Sequence, residues 1–166
     1  MKRRDFIQGL LASSAVAMVA TPSVALAEDK KEKKKGPNDM DFKTALDTIT
    51  GGKGATDDAK KIKLTVPEIA ENGAVVPVKI EIDHPMEEKN YVKAIHVLNT
   101  KNGNARCADV NLTPMNGRGY FSTRIKLGGT QEVVALVELS DGTFIKTAKS
   151  VKVTIGGCGW YHLSNS

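Results

Sequence analysis

Residues 121–139 read FSTRIKLGGTQEVVALVEL, and the class of fold follows from them. Phe121, Thr123, Ile125 and Leu127 alternate with Ser122, Arg124 and Lys126. That period of two sends one face of a strand into a core and the other into water. Gly128-Gly129 marks a turn. Val133–Leu139 is then apolar at nearly every position, as a central strand covered on both faces must be. The same alternation recurs on either side. Ile62, Leu64 and Val66 alternate with Lys61, Lys63 and Thr65, and Val76, Val78, Ile80 and Ile82 with Pro77, Lys79 and Glu81. Residues 91–98 are rich in β-formers, and Ala108, Val110 and Leu112 alternate with Cys107, Asp109 and Asn111. Asp141-Gly142 is a hairpin signal that leads into strands expected at 143–149 and 151–155. With turns at Asn72-Gly73, Asn102-Gly103 and Asn116-Gly117, this spacing predicts an all-β, immunoglobulin-like β-sandwich without repeats or a second domain.

One helix precedes the strands. Phe42, Ala45, Leu46 and Ile49 share a helical face, which predicts a short helix over 39–49. Pro37 and Asn38 would start it, Asp39 and Asp41 would occupy its first turn, and Gly51-Gly52 would end it.

Composition narrows the function. The 166 residues, 40% of them hydrophobic, suffice for one domain with its own core. At 5% aromatic, the chain lacks the stacking platforms of single-strand nucleic-acid binders. No apolar run reaches the ~20 residues of a membrane-spanning helix. Two cysteines exclude a multi-disulfide scaffold and a four-cysteine zinc site. The net charge of +5 is concentrated near the N-terminus: residues 1–27 and 28–35 contribute +2 each, which leaves +1 for the rest. No folded basic face is therefore expected.

Residues 1–27 have the form of an export signal: Lys2, Arg3 and Arg4, an apolar stretch from Gly9 to Ala20, and Ala25-Leu26-Ala27 as a small-x-small cleavage site. Arg3-Arg4-Asp5-Phe6-Ile7 resembles the bacterial twin-arginine motif, the alternative being an ordinary secretory leader. The expected destination is the periplasm, reached by a chain that has already folded. Residues 28–36 are a charged linker, and 37–155 the helix and sandwich.

The usual catalytic signals are missing. His84, His96 and His162 are scattered. His84 before Pro85 is read as a loop residue and His96 as a packed one. No catalytic residue, metal or cofactor is expected. The distinctive feature follows the last strand: Gly156-Gly157-Cys158-Gly159. Glycines on both sides clear bulk from the sulfur and free the backbone, so residues 156–166 read as a flexible arm and tail that presents Cys158. A frayed terminus, or a disulfide from Cys158 to Cys107, would account for the same residues. Cys107 itself is read as a semi-buried thiol, placed by strand parity with Asp109 and Asn111, away from the Ala108/Val110/Leu112 face.

Val153-Thr154-Ile155-Gly156-Gly157-Cys158-Gly159 resembles the C-terminal motif of the SoxY family of sulfur carriers. Val66–Gly73, Val76-Pro77-Val78, Leu112-Thr113-Pro114, Ser122–Ile125 and Ser140-Asp141-Gly142 fit the same family, so the resemblance covers the chain up to Gly159. It implies a carrier, not a catalyst, with sulfur intermediates of thiosulfate oxidation held covalently on Cys158. It also implies partners: a SoxZ-like β-sandwich subunit forming a heterodimer, a haem-containing enzyme that joins thiosulfate to the thiol, and a manganese-dependent hydrolase that releases sulfate. A sulfane dehydrogenase or another route would handle the remaining sulfur. The chain departs from the family pattern in its tail, Trp160–Ser166, where the family ends soon after the cysteine. The competing functions are an exported interaction module with an incidental cysteine, and a thiol or redox enzyme, for which only His162 is near Cys158 in sequence.

Overall fold

The switch from a helical period to a period of two appears in the structure, a computed structural model that describes residues 39–155, as one helix followed by strands. The described residues belong to the unit that starts at Lys34. Helix α1 spans Phe42–Thr50. The strands are β1 (Thr56–Asp57), β2 (Ile62–Thr65), β3 (Ile69–Asn72), β4 (Val76–Ile82), β5 (Val92–Asn99), β6 (Arg106–Asn111), β7 (Gly119–Ile125), β8 (Gln131–Leu139) and β9 (Phe144–Ile155). A 3-10 turn at Pro114–Asn116 joins β6 to β7.

Two sheets form. The smaller has the order β2-β4-β7 and is antiparallel. The larger runs β1-β9-β8-β5-β6, with β3 also paired to β9. Ile62, Leu64, Val78 and Ile80 of the small sheet meet Ile95, Val97, Val133, Ala135 and Val137 of the large one in the main core. This is the expected all-β sandwich.

The unbroken apolar run of β8 has a direct cause. Val133, Ala135 and Val137 face the small sheet. Val134 and Leu136 face the other way, where with Leu98 and Phe144 they receive Ala45, Phe42, Leu46 and Ile49 of α1. The helix thus covers the outer face of the large sheet, and the alternate positions of β8 are buried on opposite sides.

Two expected boundaries move. The helix starts at Phe42, not at 39, because Met40 is held as extended backbone: its N–H donates to Gly103 (2.8 Å) and its C=O accepts from Ala105 (2.7 Å). Asp41 consequently sits at the N-cap, outside the first turn. The left-handed Gly51 (φ 60°) ends the helix. The two strands expected at 143–149 and 151–155 are one, because β9 changes neighbours without turning. It pairs with β8 as far as Val151, while its other edge is taken first by β1 at Ile145 and Lys146 and then by β3 from Lys152 to Ile155.

The charge distribution also differs from the expectation. The outer face of the small sheet carries Lys63, Lys79 and Arg124 against Glu81, with Arg118 stacked on Tyr120 beside them. A sum close to neutral conceals a basic face.

Gly119 on β7 packs against Val92 of the large sheet. A Cβ there would lie 3.0 Å from Val92 Cγ2 and 3.1 Å from Ile82 Cβ. Overpacking of this kind costs about 1–3 kcal/mol. Gly119→Ala is therefore expected to lower the unfolding free energy by that amount, read as a lower urea midpoint at an unchanged slope; an unchanged midpoint would mean that the contact is loose.

Candidate functional site

The thiol singled out by the sequence, Cys158, and the glycines Gly156, Gly157 and Gly159 lie outside the described residues. The structure does show the base from which they continue. β9 is bonded on one edge as far as Val153 and on the other to its last residue, Ile155. On one side Val153 N–H donates to Thr130 Oγ1 (3.0 Å). On the other, Lys152 N–H donates to Glu68 C=O (2.9 Å), and Gly73 N–H to Ile155 C=O (2.7 Å). Gly73 accepts in turn from Leu127 N–H (2.7 Å), tying the end of β9 to the small sheet. Ile155 is 60% exposed, so the strand reaches the surface at a fixed point.

A polar network braces this end of the sandwich. Asn102 Oδ1 accepts from Gly128 N–H (2.9 Å) and Gln131 Nε2 (2.7 Å), and its Nδ2 donates to Lys126 C=O (2.8 Å). Gln131, 3% exposed, accepts from Lys101 N–H (2.8 Å). Buried Asn99 accepts from Asn102 N–H (3.0 Å) and donates to Asn104 C=O (3.1 Å). These side chains fix residues 126–131, which include the Thr130 that holds Val153. Sequence reading took Asn102 only as half of a turn signal; nothing in its pattern announces the network, which depends on two loops meeting.

The remaining candidates are elsewhere. His84, in the β4–β5 loop as expected, pairs through Nε2 with Asn90 Oδ1 (2.8 Å). His96 is packed, as expected, at 7% exposure. Its Nδ1 lies 2.5 Å from Asp109 Oδ1, and Asp109 Oδ2 accepts from Arg106 Nε (2.7 Å). Its Nε2 is buried with no hydrogen-bond partner among the described residues. The expected orientation of Cys107 is corrected. Val97 pairs with Ala108 and Leu98 with Arg106, so a β-bulge leaves Cys107 as the extra residue. Parity breaks there, and the half-buried thiol packs against the main core on the same side as Ala108 and Val110. Burial pushes the Cys107 thiol up from its ordinary pKa, with the Asn99 amide at 2.9 Å pulling partly back. It therefore stays protonated at neutral pH and is a poor nucleophile.

Among the described residues, no three His, Cys, Asp or Glu side chains gather to hold a metal, and no helix is long and apolar enough to cross a membrane. What the described site offers is a braced strand end at the surface.

A β-sandwich whose last strand leads, three residues on, to a cysteine between glycines is the arrangement of a carrier arm. The SoxY family, sulfur oxidation protein SoxY, matches residues 46–158, a span that contains every strand and ends on Cys158. The chain belongs to the SoxY family of sulfur carriers. Its structure is similar to that of the sulfur carrier protein SoxY from Chlorobium limicola f thiosulfatophilum, at 26% identity and a TM-score of 0.56, over 66% of this chain and 88% of that one. It is also similar to a superoxide reductase (neelaredoxin) from Ignicoccus hospitalis, at 15% identity and a TM-score of 0.54, over 60% and 94% of the two chains. A putative superoxide reductase from Thermotoga maritima gives 14% and 0.52, over 60% and 93%. At those identities the likeness to the reductases is one of fold alone. No curated protein sequence matches the chain.

Replacing Asn102 with alanine removes a partner from Gly128 N–H, from Lys126 C=O and from the buried Gln131 amide, which keeps only its longer bond to Gly129 C=O (3.2 Å). Each group left unsatisfied costs about 1–3 kcal/mol where it is buried. The variant is expected to be destabilised within that range, and amide exchange at Val153 to accelerate more than at Val78 in the small sheet. Equal acceleration at both would show that Asn102 does not brace the end of β9.

Proposed function

We propose that this chain is a periplasmic carrier that holds the intermediates of thiosulfate oxidation covalently on Cys158 and presents them to partner enzymes. The observation that carries this reading is that the family match spans residues 46–158 and ends on Cys158, while β9 is held by β3 and Gly73 as far as Ile155, three residues earlier. Three extended residues reach about 10 Å, far enough to put a thiol beyond the body of the sandwich and inside an enzyme's channel.

The chemistry asks little of the carrier. The Cys158 thiolate forms an S–S bond to the terminal sulfur of thiosulfate, and the two electrons released go to the haem-containing partner. Water then cleaves the S–SO3 bond in the manganese-dependent hydrolase, sulfate leaves, and one sulfur stays on Cys158 for a sulfane dehydrogenase or another route. A thiol flanked by glycines has no charged side chain beside it in sequence to activate it. Such a group is a passenger, activated in turn by each partner's active site. A SoxZ-like subunit completes the carrier as a heterodimer. A twin-arginine leader over residues 1–27 suits a pair exported after folding.

Cys158→Ser is expected to abolish thiosulfate-dependent turnover in a system reconstituted with the partner enzymes and to leave the melting temperature unchanged, since the last fully buried side chain of β9 is Val151. Turnover by the serine variant would contradict the reading. In the unsubstituted chain, alkylation at neutral pH is expected to label Cys158 and spare Cys107, whose thiol burial holds protonated. Labelling of Cys107 at an equal rate would show that it, too, is available for loading.

A further inference from the structure

The two outer faces of the sandwich are treated differently. The large sheet is covered by α1; among the described residues nothing covers the small sheet, whose outward positions are mostly exposed. These are Lys63 and Thr65 on β2, Pro77, Lys79 and Glu81 on β4, and Tyr120, Ser122 and Arg124 on β7. Glu81 is shared between Lys63 (3.3 Å) and Lys79 (3.5 Å), and these two cations hold its carboxyl below the usual carboxylate range. One residue beyond β4, exposed Asp83 continues the same register opposite Lys61 and Arg118. Among the described residues no ion pair is formed by Arg118 or Arg124. The Tyr120 ring is approached by Arg118 (4.8 Å from its centre) and Lys79 (5.7 Å).

At the Tyr120 end stands a second feature. Met115 is 96% exposed on the turn Pro114–Asn116. The turn is closed by reciprocal bonds between Thr113 and Asn116 and by the left-handed Gly117 (φ 73°). A methionine almost wholly exposed on a braced turn is a side chain presented to something else. Arginine, tyrosine and methionine are residue types enriched in protein interfaces. At the opposite end, Arg124 is one residue from Ile125 and three from Leu127, which Gly73 links to Ile155 at the base of the arm. The face therefore begins beside the arm and runs away from it for roughly 13 Å of strand.

We propose that this face is where an acidic partner enzyme docks transiently on the body of the carrier while it holds the Cys158 arm. The occupant is set by charge: with Lys61 and Arg118 at the strand ends, five cations face two carboxylates, Glu81 and Asp83, and on a domain otherwise close to neutral this excess focuses a positive field on one surface. A permanent subunit interface would be dominated by apolar side chains; one tyrosine and one methionine among charges suit a partner that comes and goes. The single aromatic side chain and the flat sheet argue against a nucleic-acid strand. The inference rests on the carrier reading and adds to it a recognition step that the arm does not supply.

The test uses the heterodimer of the mature chain with its SoxZ-like subunit, carrying Lys79→Glu and Arg124→Glu together or Met115→Ala separately, and the purified sulfate-releasing hydrolase acting on thiosulfate-loaded carrier. The double reversal is expected to raise the KM for the carrier about tenfold at low salt with kcat unchanged. KM should rise with NaCl for the unsubstituted chain but not for the variant, and Lys79→Arg with Arg124→Lys should restore it. Met115→Ala should raise KM with its salt dependence intact. The alkylation rate of Cys158 and the melting temperature serve as controls and should not move. An unchanged KM in the double reversal, with normal turnover by the unsubstituted chain, overturns the docking face and leaves the carrier standing. If the unsubstituted chain takes up no sulfur on Cys158, the carrier reading and this inference fall together. A short DNA duplex that binds the face more tightly than the hydrolase does, with the same sensitivity to reversal, assigns the face to nucleic acid and overturns the proposal.

Discussion

Every property of the carrier depends on β9 being held by neighbours to its last residue. Its early residues lie between β8 and β1, and its last four against β3. A strand end without a neighbour would fray, and a thiol beyond it would start from no defined place. Here the ladder continues to Ile155, and the loop that supplies Thr130 is itself fixed by Asn102. The order of the last strand fixes the point from which the chain continues toward Cys158.

That arrangement separates two tasks which enzymes usually combine. In the proposed reading reactivity is supplied by partners, and the body of the chain need not provide a base or metal beside the thiol. The second cysteine shows the contrast. Cys107 is half-buried against the core with its thiol pushed toward the protonated form, which keeps it out of the sulfur chemistry. Recognition then has to be found elsewhere on the body, and the uncovered face of the small sheet is the surface with the charge to provide it.

How much of this was legible in the sequence varied with the physics involved. The continuous apolar run of Val133–Leu139 announced a strand covered on both faces, and the heptad-like spacing of Phe42, Ala45, Leu46 and Ile49 announced what covers it. Both are periodic burial signals, and burial is what periodicity reports. β1 and β3 were invisible because they pair in parallel with β9 while exposing nearly all of their side chains. The orientation of Cys107 was misread because one extra residue in β6 reverses parity, and a bulge leaves no mark in an alternation so short. The basic face escaped because a net charge is a sum, and a sum carries no position. The cysteine motif was legible as a motif, through the glycines around it and the family they resemble.

The central claim is that sulfur travels on Cys158, and its most direct test is the mass of the Cys158-containing peptide from protein isolated while cells oxidise thiosulfate. The account predicts a thiosulfate-derived sulfonate or an added sulfur atom on Cys158, removable by a thiol reductant, with Cys107 unmodified. A bare Cys158 thiol under those conditions, or the same adducts spread equally over Cys107, would contradict it.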